Sequence, residues 1–213
     1  MNQLNIKTTE PLVKEQLSLL IERETRYQLD GILQEMQKLA EKHQIGQAGP
    51  QRSPLRNLLV AATDRAASLE IIKNYISYQT ARSEDISKIL KANYEGKKFG
   101  EALIDALDGL EKNAEDIIDR ITEGLTNDSA LKQYLTPQLR SREVTDLHLK
   151  LTQLYLGYLV REHTALRGSP NSNTTGGNTT GAEAKPKTAS DLKAHFEGSS
   201  KPSDGNRPKP KQK

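Results

Sequence analysis

Tyr75, Tyr78, Gln79 and Arg82 recur at i, i+3, i+4 and i+7 within LEIIKNYISYQTAR, residues 69–82. At helical spacing they line up on one flank. Two phenols, an amide and a guanidinium can stack on rings, exchange hydrogen bonds and neutralise charge. None is a nucleophile at neutral pH, so their chemistry is recognition and not bond-making. Beside them, Leu69, Ile72 and Ile76 follow i, i+3, i+7 and predict an apolar stripe for a core. Two readings of Tyr75 and Tyr78 stand together: contact with a ligand, or partial core burial with the hydroxyl at the surface.

A second group lies in a helix predicted over residues 142–167. Lys150, Gly157 and Arg161 fall on nearly one side, with Gln153 and Thr164 close by. Leu147, Leu151, Leu154 and Tyr158 occupy the adjoining core side, while Leu149 and Leu156 point away from it. A helix apolar on more than one face either sits centrally or carries a protein interface. Gly157 inside a helix costs about 1 kcal/mol relative to Ala. Close approach of another backbone or of a phosphate would offset that cost, and simple tolerance is the other explanation.

Catalytic patterns are missing. His43, His148, His163 and His195 form no HExxH, and the chain has no EF-hand loop, phosphate-binding GxxxxGK[ST] loop, GxSxG elbow or Glu-xx-His pairs of a di-iron bundle. His148 and His163 read as helix-surface or interface residues. Glu101, Asp105, Asp108, Glu115 and Asp119 share the face of a helix opposite its apolar stripe. That strip can be a divalent-cation or acid–base site, a solvated face, or a docking strip for a basic partner. Carboxylates turned from the core lack the burial that shifts a pKa, which ranks catalysis last. No enzymatic activity, metal or cofactor is expected.

The elements that must position these groups read as helices throughout. Of 213 residues, only nine are aromatic, two Phe and seven Tyr, with no Trp and no Cys. A core of Leu, Ile and Ala suits packed helices, and the absence of Cys excludes disulfides and thiolate metal sites. The expected fold class is all-α: a bundle of about five helices. An N-terminal helical segment spans 1–44, with Pro11 in its first turn and Gly31 as a bend or division. The bundle spans 45–167. Ser53-Pro54 predicts a helix start whose apolar face runs through Leu55, Leu58, Leu59, Ala62, Ala66, Leu69, Ile72 and Ile76, with a break near Ala67-Ser68. Residues 83–96 suggest a short helix ending at Gly96. Residues 98–125 give the cleanest amphipathic pattern, and 124–137 are looser. No strand pattern is visible. Residues 168–213, rich in Gly, Asn, Thr, Lys and Pro, predict a disordered basic tail, with a short helix at 189–197 forming only when bound. With no signal pattern and no apolar run of about 20 residues, a cytoplasmic location and no membrane contact are expected.

The charge is zoned. Residues 168–213 hold eight basic and four acidic side chains, a net +4, and the other 167 residues hold 23 and 24. The basic pI therefore belongs to the tail. Within the body, residues 45–82 carry +3, residues 83–131 carry −6 and residues 132–167 carry +3. Two basic regions flank an acidic one.

LEIIKNYISYQTAR (69–82), FGEALIDAL (99–107) and LKLTQLYLGYLVREH (149–163) resemble the small helical subunits of type III CRISPR effector complexes. The likeness lies in an aromatic-x-x-Tyr-Gln-x-x-Arg helix end and a late Tyr-Leu-Gly-Tyr-Leu-x-Arg helix, and covers residues 53–167. It implies a non-catalytic all-α subunit of a ribonucleoprotein. Such a subunit stacks head to tail with its copies, meets the other effector subunits and contacts the backbone of guide or target RNA. Tyr75, Tyr78, Gln79 and Arg82 match the first pattern; Tyr155, Gly157, Tyr158 and Arg161 match the second. Taken with the basic zones, the expected RNA-contacting residues are Arg52, Arg56, Lys73, Tyr78, Gln79, Arg82, Lys150 and Arg161. A helical protein–protein adaptor with a flexible tail is the alternative.

Overall fold

A computed structural model describes residues 6–47, 54–82 and 88–168. The predicted tail from residue 169 onward, with its bound-state helix, lies outside the described residues, as does Arg52. Six helices are present among the described residues: α1 (Ile6–Lys42), α2 (Pro54–Ala62), α3 (Leu69–Ala81), α4 (Phe99–Glu123), α5 (Ala130–Tyr134) and α6 (Pro137–Gly168). The all-α expectation holds, with α5 as a five-residue addition.

α6 is the centre. It packs against α4, α2 and α1, and α4 also meets α1 and α3. This placement settles why α6 is apolar on more than one face. Leu147, Leu151, Tyr155, Leu156 and Leu159 are all buried, because neighbours cover the helix on several sides. One core joins Leu17 and Met36 of α1, Leu55 and Leu58 of α2, Ile72 and Ile76 of α3, Leu103, Leu107 and Ile117 of α4, and these α6 residues.

Several boundaries differ from expectation. Pro11 sits inside α1 and not in its first turn. Only one ladder hydrogen bond is lost there, which a 37-residue helix packed on α4 and α6 tolerates. Gly31 does not divide α1, which runs unbroken from Ile6 to Lys42. The break before α3 is real: the Ser68 hydroxyl oxygen accepts a hydrogen bond from the Ile71 N–H at 3.3 Å and caps the helix. α6 begins at Pro137, five residues before the expected start, with the Thr136 hydroxyl accepting from the Leu139 N–H at 3.4 Å. Thr-Pro at 136–137 is the same cap-plus-proline signal as Ser-Pro at 53–54.

Where the expected helix ending at Gly96 falls within the described residues, the chain instead makes a turn and then a tight hairpin, β1 (Asn93–Tyr94) and β2 (Lys97–Lys98), paired antiparallel. Glu95 and Gly96 both have positive φ, 50° and 83°, as a two-residue loop between twisted strands requires. The Asn93 carboxamide oxygen accepts from the Gly96 N–H at 2.9 Å. Two-residue strands have no alternation to detect, which is why no strand pattern is visible in the sequence. The hairpin leads straight into α4, where the Glu101 carboxylate accepts from the Lys98 N–H at 3.2 Å.

Candidate nucleic-acid interface

α3 presents its flank unevenly. Tyr78 is 56% exposed, Tyr75 and Arg82 are half-buried, and Gln79 is only 9% exposed. The four-residue row is therefore not one surface. Gln79 stands seven residues after Ile72 and three after Ile76, so it prolongs the core stripe toward Thr80. Tyr78 and Arg82 remain together: the guanidinium carbon lies 5.4 Å from the phenol ring centroid. A cation over a ring face holds both side chains in place at the surface.

α6 repeats the arrangement one step shorter. The guanidinium carbon of exposed Arg161 lies 5.1 Å from the ring centroid of half-buried Tyr158. Tyr155, which the second sequence pattern pairs with Tyr158, is instead in the core. Gly157 lies on the same helix turn. A Cβ there would meet nothing within 4 Å, so no backbone among the described residues requires the glycine. Arg56 is exposed on α2, which packs against both α3 and α6 and so links the two helices that carry the stacked pairs.

Two other predicted residues have different surroundings. The Lys73 ammonium sits 2.5 Å from Glu70 and 3.1 Å from Asp108, and its side chain is 24% exposed. Those carboxylates hold its pKa above the usual lysine value, Glu70 foremost and then Asp108. Lys150 is exposed about three turns before Arg161 on nearly the same side of α6, in a cleft with Lys14, Glu143 and Asp146. Burial pushes the Glu143 carboxyl up, and nearby Asp146 adds to the effect.

The acidic face of α4 is largely neutralised within the chain. Glu101 pairs with Lys98 at 3.7 Å, Asp105 with Lys97, Asp108 with Lys73, and Asp119 with Arg140 at 2.6 Å. The cations come from α3, the hairpin and α6. Among the described residues, no three His, Asp or Glu side chains converge as metal ligands do. His148 and His163 are buried, contrary to the expected surface placement. His148 falls one residue after Leu147 and four after Val144, on the buried side of α6. Its Nε2 lies 2.7 Å from the Leu107 carbonyl oxygen, a contact that requires the Nε2–H tautomer as donor.

The exposed apolar residues Val60 on α2 and Ile71 on α3 are absent from the sequence-based site. Ile71 and Tyr78 are seven residues apart and share a face. The signal is the Ile71-Ile72 pair: adjacent helical residues point about 100° apart, so where the buried face is narrow one of the two stays outside.

No protein-family model, curated protein or solved structure matches this chain. Among the described residues, no helix is long and apolar enough to cross a membrane.

Proposed function

We propose that this chain is a non-catalytic helical subunit of a CRISPR-type ribonucleoprotein that contacts RNA backbone and neighbouring subunits. The observation that carries the reading is the duplicated Tyr–Arg stack, Tyr78 with Arg82 on α3 and Tyr158 with Arg161 on α6. Each places a guanidinium for phosphate beside an aromatic face for a splayed base, a combination suited to binding single strands without reading sequence. Exposed Arg56 adds a cation on the helix between them. The internal pairing of the α4 carboxylates also favours RNA over a head-to-tail contact of acidic on basic helix, since much of that charge is already met.

Filter binding of single-stranded RNA at 50 and 200 mM salt tests this, comparing wild type with Arg52→Glu/Arg56→Glu/Arg82→Glu/Arg161→Glu. For three phosphate contacts, wild-type affinity falls about twentyfold over that range. The variant binds weakly at both. Equal binding by the two proteins, alone and within their complex, overturns the RNA role.

A protein adaptor is the second reading, favoured by the exposed Val60, Ile71 and Tyr78 and by Leu12, Leu19 and Tyr27 on the outside of α1. It predicts partner capture that survives nuclease and the arginine reversals but is lost with Ile71→Asp.

A further inference from the structure

A cleft of about 350 Å³ opens between α1 and α4, away from the stacked tyrosines. Gly31, Ile32, Glu35 and Leu39 form one wall and Ala106, Gly109, Leu110 and Asn113 the other. Tyr155 of α6 lies at the bottom.

Two features of this cleft are unexplained by the fold. The first is the pair of glycines, one in each wall, both exposed and both inside long helices. Each costs about 1 kcal/mol relative to Ala. A Cβ on either would meet nothing within 4 Å among the described residues, so no close packing calls for them. What they do is keep the mouth wide. The second is Tyr155. Its side chain is 3% exposed and lines the cleft, yet its hydroxyl makes no hydrogen bond among the described residues. The hydroxyl is not among the fully enclosed polar atoms that lack a partner, so it opens to the cleft, where the acceptor of a ligand can replace water on it.

The lining defines what fits. Burial, and secondarily the Glu35 carboxylate, push the Tyr155 pKa well up, so the phenol stays protonated and available as a donor. Glu35 itself is paired with Lys38 at 2.7 Å, so its charge does not call for a cation, while an anion would face its field. Apart from Asn113, whose amide N–H donates to the Gln28 carboxamide oxygen at 3.2 Å, the remaining walls are aliphatic. An engineered cavity of about 150 Å³ holds benzene, so this cleft has room for a ring with a substituent.

We propose that the α1–α4 cleft binds a small neutral molecule: an apolar, ring-sized body carrying one hydrogen-bond acceptor that receives the Tyr155 hydroxyl. Nothing in this site depends on the RNA reading. The test is a titration of the ¹⁵N-labelled full chain with cyclohexanone, followed at the Gly31 and Gly109 amides, with cyclohexanecarboxylate as the anionic control of similar size. Both glycine resonances shift saturably with the ketone and stay in place with the carboxylate. Tyr155→Phe weakens ketone binding about three- to tenfold, the range of one neutral hydrogen bond. Gly109→Leu abolishes it while the far-UV circular dichroism is kept, and Gly31→Leu does the same from the other wall. Silent glycine amides up to the solubility limit of the ketone overturn the proposal. So do an equal response to the two probes, unchanged affinity in Tyr155→Phe, or unchanged affinity in both leucine variants.

Discussion

Lys73 on α3 reaches Asp108 on α4 at 3.1 Å while holding Glu70 of its own helix at 2.5 Å. The basic zone and the acidic zone of the sequence thus meet inside one molecule. A double-mutant cycle of Lys73→Met and Asp108→Asn is expected to give a coupling of about 0.5–1 kcal/mol, smaller in 1 M salt. Denaturant melts of the four proteins measure it. A coupling of zero at low salt contradicts the tether.

Gly100 opens α4 directly against α3. A Cβ there would stand 3.1 Å from the Thr80 Cβ and far inside contact distance of its hydroxyl, which donates to the Ile76 carbonyl at 2.7 Å. Gly100→Ala is expected to destabilise by about 1–3 kcal/mol despite alanine's better helix propensity. Thr80→Ala in the same chain recovers part of the loss, as thermal melts will show.

His163 is buried, and burial first and Arg167 second hold its pKa below the ordinary value of 6.5. The unfolded chain therefore takes up a proton at a higher pH than the folded one. Stability from this group is complete above pH 6.5 and is lost as the pH falls through the folded value. His163→Gln should flatten the fall in Tm between neutral and mildly acidic pH; parallel profiles for the two proteins argue against the effect.

In the RNA reading, Tyr78→Leu and Tyr158→Leu each lower single-strand affinity by about 1–3 kcal/mol, and Tyr78→Phe keeps most of it, because stacking needs the ring and not the hydroxyl. Fluorescence anisotropy with a short labelled RNA distinguishes the three.

Much of the bundle is legible in the chain. The four-and-three alternation of Leu103, Leu107, Leu110, Ala114, Ile117 and Ile121 places α4 within two residues at each end. Ser68 announces α3 by its cap. The site is less legible. Tyr78 and Arg82 follow from helical spacing, but the position of Gln79 depends on which side of α3 meets α2 and α4. Helical periodicity sorts residues into faces. It does not say how wide the buried face is, and on α6 that face spans about half the circumference, from Leu147 round to Leu156.

The sequence alone determined the helical class, the Tyr–Arg spacings and the charge zones, because each rests on composition or on separations of three, four and seven along one helix. Only the tertiary structure decided that Lys73 is met by Asp108, that His148 donates to a carbonyl 41 residues away, and that Gly31, Gly109 and Tyr155 enclose one cleft. Those relationships join residues from different helices, and the packing of one helix on another carries no local periodicity.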